Sequence, residues 1–112
     1  MKIDNTKAQM RKGVLEYCIL SILSGGDAYA SDIIRRLKES KLIVVEGTLY
    51  PLLTRLKNDQ YLGYRWEESQ QGPPRKYYQI TDKGSGFLAD LDQSWSELVE
   101  AVSSIKSSKT VK

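Results

Sequence analysis

The segment Gly47–Leu56 carries hydroxyl groups and a cation beside an apolar stripe of helical spacing. Its leucines recur at i, i+3, i+4 and i+7, which is the spacing of one buried helix face. The other faces carry hydrogen-bond donors that suit phosphate oxygens and the edges of bases. These donors are Thr48, Tyr50, Thr54 and Arg55. The pattern predicts a helix that packs on one side and contacts a nucleic acid on the other.

Pro51 limits where this helix can begin. Proline has no N–H to donate and breaks a helix interior, but it is tolerated in the first turn. We therefore expect the helix to begin at Gly47 or Thr48 and to end near Asp59.

A second group of cations lies in a segment with turn and strand chemistry. Leu62–Glu67 alternates apolar and polar residues with a period of two, as a half-buried strand does. Gly72–Tyr78 opens with a glycine and two prolines, continues with Arg75 and Lys76, and returns as a strand. A recognition helix followed by a basic β-hairpin is the outline of a winged helix-turn-helix, a DNA-binding fold.

Two helices are predicted ahead of the recognition helix. The first covers Thr6–Ser24, and the second begins between Tyr29 and Ser31 and ends near Ser40. Tyr29 and Ser31 are placed to donate hydrogen bonds to a phosphate, so both join the candidate DNA contacts. The apolar stretch Leu42–Val45 is either a short strand or a buried connector, because its spacing does not decide between them.

A long final helix is predicted from its N-cap Thr81 to about Lys106. Apolar residues recur along it at alternating spacings of three and four, which form an unbroken heptad seam. They are Leu88, Leu91, Trp95, Leu98, Val102 and Ile105. So small a domain has too little core of its own to cover this seam. We therefore expect a homodimer, in which the first helix shares the interface.

These elements predict a mostly α fold with a small β-hairpin, in the α+β class. Residues 1–81 would form the winged helix-turn-helix, residues 82–106 the dimerisation helix, and residues 107–112 a disordered tail. The two-fold symmetry of a dimer predicts a palindromic site on double-stranded DNA, with half-sites about one helical turn apart.

Trp95 is larger than the other residues of the seam. Two copies facing each other near the two-fold axis could hold the helices apart and leave a gap between aromatic faces. Such a gap suits a planar apolar ligand. The alternative, that Trp95 is only part of the dimer core, stays open on the sequence alone.

Plain structural roles stay open for several of the other candidates. Arg75 and Lys76 could be a solvated charge pair of the hairpin, and Arg55 could be ordinary helix surface. Tyr50 could pack against the second helix instead of touching DNA. Cys18 lies among aliphatic residues and is expected to be an inert core thiol.

Composition excludes several classes of protein. The chain has 112 residues, the size of one domain, and its net charge is +3. It has one cysteine and no histidine, so we expect no zinc site, no His-based catalytic pair, no cofactor and no enzyme. The single cysteine, with no signal peptide or membrane-spanning segment, predicts a cytoplasmic protein. The mild charge leaves one alternative, a dimeric winged-helix module that binds protein and not DNA.

Four blocks of the sequence resemble the PadR-type transcriptional regulators. They are Gly-Asp-Ala-Tyr (Gly26–Tyr29), Glu-Gly-Thr-Leu-Tyr-Pro-Leu-Leu (Glu46–Leu53), Gly-Pro-Pro-Arg-Lys-Tyr-Tyr (Gly72–Tyr78) and Thr-Asp-Lys-Gly (Thr81–Gly84). The match runs from about Arg11 to Trp95. The resemblance implies a repressor of the short subclass, which dimerises through a single C-terminal helix, and it implies that the candidate contacts face DNA. The chain departs from the family at Gln60, where a glycine usually follows the recognition helix; either this residue is strained or the helix runs one residue further.

The multidrug-sensing members of that subclass carry a similar Ser-Trp-Ser setting and stack drugs between the paired tryptophans. Here the setting is Ser94–Ser96, so the resemblance implies a site for a planar aromatic molecule at Trp95. In those members an acidic residue follows one turn later, where this chain has Val99. A preference for cationic ligands would then require Glu16 or Glu100 as the substitute.

Overall fold

Helices form most of the computed structural model, which describes residues 3–108. In chain order its elements are α1 (Ile3–Lys12), α2 (Leu15–Ser24), β1 (Ala28–Tyr29), α3 (Ala30–Glu39), α4 (Glu46–Asn58), β2 (Leu62–Ser69), β3 (Gly72–Ile80) and α5 (Asp82–Ser108). Within the described residues the strands form one antiparallel sheet in the order β1-β3-β2. The predicted fold, a mostly helical winged helix-turn-helix with one long C-terminal helix, is confirmed.

The first predicted helix is interrupted. Instead of one helix over Thr6–Ser24, α1 ends at Lys12 and α2 begins at Leu15. Gly13 lies in the gap, where its backbone entropy disfavours a helix, and Val14 has φ −114° and ψ 0°. The prediction of a single helix was wrong because the apolar spacing continues across residues whose backbone leaves helical geometry.

α3 and α4 form the helix-turn-helix. α3 begins inside the predicted range, and the Asp32 carboxylate accepts a hydrogen bond of 3.1 Å from the backbone N–H of Tyr29. The connector Leu42–Val45 contains no strand, so the strand alternative was wrong, and the buried connector holds for Val44 but not for Ile43 and Val45, which are exposed. Its Val44 is buried and fastens the connector to the core.

α4, the predicted recognition helix, begins one residue earlier than expected. Val45 is extended, with φ −92° and ψ 161°, so the first helical residue is Glu46. Pro51 therefore lies in the second turn and not the first, and the prediction of its place was wrong. The helix does without one backbone hydrogen bond there, because the ring has no N–H to offer the carbonyl of Gly47.

The core gathers the apolar sides of α2, α3, α4 and the sheet. Its most deeply buried side chains are Ile19, Leu20, Leu23, Ile33, Leu49, Leu53, Leu56 and Leu62. Leu52 is half-buried against them, so the leucine stripe predicted for α4 is confirmed. Burial of each such side chain contributes about 1.5–3 kcal/mol. This face fixes the rotation of α4 and turns its polar face outward.

β2 and β3 form the predicted hairpin, with Tyr64 opposite Tyr78. β3 already begins at Gly72, so Pro73 and Pro74 lie inside the strand. They lie beyond the two residues of β3 that pair with β1, so their missing N–H groups remove no bond to β1. β1 itself was not predicted, since two residues carry no periodicity.

A left-handed residue lies two positions after the last residue of α3 and of α4; these are Lys41, with φ 70°, and Gln60, with φ 68°. After α4, the N–H of Tyr61 donates to the carbonyl of Leu56 at 2.9 Å, as in a Schellman cap. Of the two predicted alternatives for Gln60, strain is therefore the right one. For a residue with a Cβ atom, this left-handed backbone conformation costs roughly 1–2 kcal/mol relative to the right-handed one.

The first turn of α5 is bound to the residues that follow α4. The Thr81 hydroxyl oxygen accepts the N–H of Gly84 at 2.9 Å, as predicted for an N-cap, and the hydroxyl donates to the carbonyl of Gln60 at 2.6 Å. Tyr61 stacks on Phe87, with ring centroids 4.1 Å apart and planes 8° from parallel. A Cβ at Gly84 would lie 2.9 Å from the carbonyl carbon of Tyr61 and closer still to its oxygen. The residues that follow α4 are therefore packed closely against the first turn of α5.

The rest of α5 leaves the domain. The helix runs through Ser108, two residues past the predicted end at Lys106, and residues 109–112 of the predicted tail lie outside the described residues. Leu88 and Leu91 pack against the core of their own domain. The later seam residues are 43–69% exposed; they are Trp95, Leu98, Val102 and Ile105.

Candidate nucleic-acid interface

Three of the predicted DNA contacts meet at the start of α3. A terminal nitrogen of Arg75, on β3, donates to the Ser31 hydroxyl at 2.7 Å. The same guanidinium lies 4.0 Å from the centre of the Tyr29 ring, in cation–π contact. A guanidinium has five N–H donors, and the bond to Ser31 uses one. The first turn of α3 adds the positive end of its dipole, so the cluster suits a phosphate.

This cluster forms one end of a groove of about 830 Å³ between α3, the start of α4 and the hairpin. Five of the eight predicted DNA contacts line it, namely Tyr29, Ser31, Tyr50, Arg75 and Lys76. The groove therefore joins the helix-turn-helix and the hairpin into one continuous surface that carries these five residues. The other three, Thr48, Thr54 and Arg55, are exposed on α4 outside its lining.

Lys76 is held by aromatic rings of the wing. Its Nζ lies 4.6 Å from the ring centre of Tyr64 and 5.6 Å from that of Trp66. The strand register places Lys76 opposite Trp66, so backbone pairing and cation–π attraction keep the ammonium group on the groove side of the hairpin. Ordering of this long side chain lowers the entropic cost of a phosphate contact.

Arg65, the other cation of the hairpin, has a structural role. It donates to the carboxylates of Asp27 at 3.1 Å and Glu67 at 3.0 Å, and to the side-chain oxygen of Gln79 at 3.0 Å. These bonds to Asp27 and Glu67 raise the pKa of Arg65 above its ordinary value. The guanidinium also lies over the Tyr77 ring. Arg65 therefore ties the wing to the loop before β1, on the side away from Lys76.

The exposed face of α4 carries Thr48, Tyr50 and Thr54, as predicted from the leucine spacing. Arg55 lies farther along the helix, and its guanidinium is engaged. Its Nε donates to Glu16 Oε2 at 2.6 Å, and a terminal nitrogen forms an ion pair with the same oxygen. Arg55 therefore points toward α2 in this conformation.

Trp95 is in contact with α2 of its own chain. Its ring centroid lies 6.3 Å from that of Tyr17, and the Tyr17 hydroxyl donates to Asp92 at 2.6 Å. This hydrogen bond to a carboxylate is the main reason that the pKa of Tyr17 is raised. Val99 lies one turn beyond Trp95 and is 43% exposed. Cys18, also on α2, is half-buried against the core, and burial raises the pKa of its thiol.

Comparison of the sequence with models of protein families identifies the family of this chain. The model of the family described as "Transcriptional regulator PadR-like family" matches residues 19–90, from the core of α2 to the first half of α5. The chain belongs to the PadR-like family of transcriptional regulators. The residues matched include the helix-turn-helix, the wing and the capped start of the C-terminal helix.

Solved structures of similar proteins agree with this assignment. A PadR-like transcription factor from Bacteroides fragilis is 66% identical, with 90% of this chain and 98% of that one covered and a TM-score of 0.78. A PadR family regulator from Eggerthella lenta is 29% identical, with 92% and 90% covered and a TM-score of 0.86. A PadR-like regulator from Bacillus cereus is 40% identical, with 87% and 95% covered and a TM-score of 0.76.

PadR-like regulators are DNA-binding proteins and not enzymes, so the expectation that this chain has no catalytic activity is confirmed. No helix between residues 3 and 108 has the length and apolar character needed to cross a membrane. Over the same residues, no three side chains of the metal-binding types come together as a cation site.

The groove of this PadR-like regulator also contains residues that the sequence did not single out. Ile43 and Val45 of the connector line it and are each 65% exposed, and Trp66 is 60% exposed. Alternation along β2 places Trp66 on the inner face of the hairpin, but no helix reaches far enough to cover it. The sequence predicted Leu42–Val45 to be either a short strand or a buried connector, and its spacing gave no signal that Ile43 and Val45 are exposed.

Proposed function

We propose that this PadR-like regulator is a homodimeric repressor that binds a palindromic operator in double-stranded DNA. The observation that carries the proposal is the groove that brings together Tyr29, Ser31, Tyr50, Arg75 and Lys76. α4 enters the major groove and offers Thr48, Tyr50 and Thr54 to base edges or phosphates. Arg75, Lys76 and the start of α3 grip the flanking backbone. A repressor acts where the chromosome lies, so its place is the cytoplasm.

The homodimer is supported by the second half of α5. Leu98, Val102 and Ile105 are 49–69% exposed along one side of this helix, and Trp95, although it contacts Tyr17, is still 43% exposed. A second copy of the same seam is the complementary surface, since a two-fold contact joins like to like. We assign residues 1–81 to DNA binding and residues 82–106 to dimerisation. Sedimentation at micromolar concentration tests this, and a monomer there would contradict it.

A planar apolar ligand between the paired α5 helices is the proposed signal. Trp95 and Val99 lie one turn apart on α5 and are each 43% exposed, and the Ser-Trp-Ser setting resembles that of the multidrug-sensing members. Glu16 forms an ion pair with Arg55. The proposed contacts to the ligand are therefore Trp95 and Val99, and Glu16 can join them only if its ion pair with Arg55 breaks. A ligand that changes the separation of the two recognition helices must change DNA affinity, and DNA changes ligand affinity by the same factor.

Ligand binding is tested by tryptophan fluorescence. Trp66 is exposed in the wing and would obscure the signal, so the titration uses a Trp66→Phe background. A planar dye should quench the remaining emission from Trp95. Trp95→Ala in this background contains no tryptophan, so the variants are compared by the anisotropy of the dye's own fluorescence. If a Leu98→Ala control binds the dye while Trp95→Ala does not, the aromatic platform is supported; equal binding by the Trp95→Ala variant contradicts it.

DNA binding itself is tested by salt titration. Each phosphate neutralised in duplex DNA contributes about −0.9 to the slope of log K against log salt. A dimer with several cationic contacts per protomer should therefore lose orders of magnitude in affinity over a modest range of salt. A protein-interaction module, the alternative function, would give little affinity for duplex DNA and a shallow slope.

A further inference from the structure

The bond between Glu16 and Arg55 joins α2 to the recognition helix. Glu16 Oε2 receives both the Nε of Arg55, at 2.6 Å, and a terminal nitrogen of the same guanidinium. The two residues are 39 positions apart in the chain, so this is a tertiary contact and not a local helix pair. The side chains are 63% exposed for Arg55 and 27% for Glu16, so the pair lies at the surface.

Arg55 occupies the face of α4 that the proposed function directs toward DNA. A shallow depression on this face is lined by Tyr50, Pro51, Thr54, Arg55 and Asn58 together with Asp59. The arginine is the one cation among them. A guanidinium binds phosphate through adjacent N–H groups, and here a carboxylate takes two of those groups. One guanidinium cannot present the same two N–H groups to both acceptors.

We infer that Glu16 competes with a DNA phosphate for Arg55 and so limits the affinity of the regulator for DNA. The inference rests on the proposed DNA-binding function. Glu16 touches no nucleotide; it acts as a positioning residue that holds Arg55 on the α2 side. When the protein binds DNA, Arg55 gives up the Glu16 carboxylate and takes a phosphate instead. The lost ion pair offsets part of the free energy of the new contact, and the released carboxylate stays close to the phosphate backbone of the DNA.

The expected gain in DNA affinity on removal of the Glu16 carboxylate follows from the strength of exposed ion pairs. An exposed ion pair shifts an equilibrium by a factor between about 1.4 and 5. A dimer opens two such pairs, so removal of the carboxylate should tighten binding by between about twofold and thirtyfold. Two additional phosphate contacts should also steepen the slope of log K against log salt by up to about 1.8.

The experiment measures binding of a fluorescein-labelled, mixed-sequence duplex by anisotropy over a series of salt concentrations. The variants are Glu16→Gln and Glu16→Ala; the alanine variant lacks any group that could still hold Arg55. Asp90→Asn, an exposed position on α5, is the matched control for loss of one negative charge. We expect both Glu16 variants to bind more tightly and with a steeper slope than wild type, and Asp90→Asn to keep the wild-type slope. Circular dichroism and sedimentation establish that each variant keeps its fold and its assembly state.

A double-mutant cycle shows whether the effect passes through Arg55. In an Arg55→Gln background, Glu16→Gln should leave the salt slope unchanged, because there is no guanidinium to release. An equal gain in both backgrounds would mean that Glu16 acts only by general repulsion, and it would overturn the inference. A shallower slope in Glu16→Gln alone would also overturn it, since Glu16 would then aim Arg55 at the phosphate.

Failure of the inference and failure of the proposed function are distinguishable. If wild type binds the duplex and the Glu16 variants bind with the same affinity and slope, only the role of Glu16 is refuted. If wild type has no affinity for the duplex even at low salt, the DNA-binding proposal itself is refuted, and the inference falls with it.

Discussion

Replacement of Gly84 by alanine is expected to destabilise the protein, although alanine is the better helix former. The added Cβ would lie 2.9 Å from both the carbonyl carbon of Tyr61 and Cγ1 of Ile80, and closer still to the Tyr61 oxygen. An ordinary contact between carbon atoms is about 3.5–4.0 Å, so the carbonyl carbon would have to retreat by at least about 0.6 Å. That carbonyl also accepts the N–H of Thr81 at 3.2 Å, so it is not free to move.

The magnitude follows from two opposing effects. Overpacking of a filled site costs about 1–3 kcal/mol, and the obstacle here is backbone, which favours the upper end. Alanine in place of glycine inside a helix returns about 1 kcal/mol. We therefore expect a net loss of about 2 kcal/mol in the free energy of unfolding for Gly84→Ala.

Gly86 provides the control, because it lies in the same helix and a Cβ added there meets nothing within 4 Å. Gly86→Ala should gain up to about 1 kcal/mol from helix propensity alone. Both variants are compared with wild type by urea unfolding followed by circular dichroism, at one fixed protein concentration since a dimer dissociates on unfolding. The reasoning is refuted if Gly84→Ala is as stable as Gly86→Ala.

Two further predictions concern the cap of α4 and the wing. Gln60→Gly should raise the free energy of unfolding by about 0.5–1 kcal/mol, because glycine adopts the left-handed conformation at φ 68° without strain; urea unfolding measures it, and a loss of stability would contradict the strain argument. Arg75→Gln should make the salt slope of duplex binding shallower by up to about 1.8 per dimer, one phosphate for each protomer. Arg65→Gln is its control, since that arginine is engaged by Asp27, Glu67 and Gln79 and should leave the slope unchanged while it loosens the wing.

Elements that rest on repeated local spacing could be predicted from the sequence. The leucines of α4 place its polar face outward whatever the neighbours are, and the hydroxyl of Thr81 caps α5 as predicted because capping depends only on the next three residues. The alternation in β2 likewise predicted the hairpin. These features depend on periodicity and on hydrogen bonds over short range in the chain.

Features that depend on backbone breaks or on distant partners could not be predicted in this way. Gly13 interrupts a helix whose apolar spacing runs on unbroken, and β1 is two residues that become a strand only by pairing with β3. Arg55 was predicted as a phosphate contact from its place on α4, but its partner in the structure, Glu16, lies on another helix. No spacing rule links residues that meet only after the fold has formed.

The close packing at Gly84 also determines how motion would pass through the proposed dimer. α5 has 27 residues and so extends for about 40 Å, and its first turn packs closely against Tyr61, which follows α4. In the proposed dimer the long helix would act as a lever, with the recognition helix close to its first turn. Trp95 lies 13 residues after Asp82, about 20 Å along the helix, so a tilt of about 10° at that crossing displaces the first turn by about 3.5 Å, close to the rise of one base pair. A planar ligand one aromatic ring thick, bound where the two α5 helices cross, would therefore be enough to move the two recognition helices out of register with a fixed operator spacing.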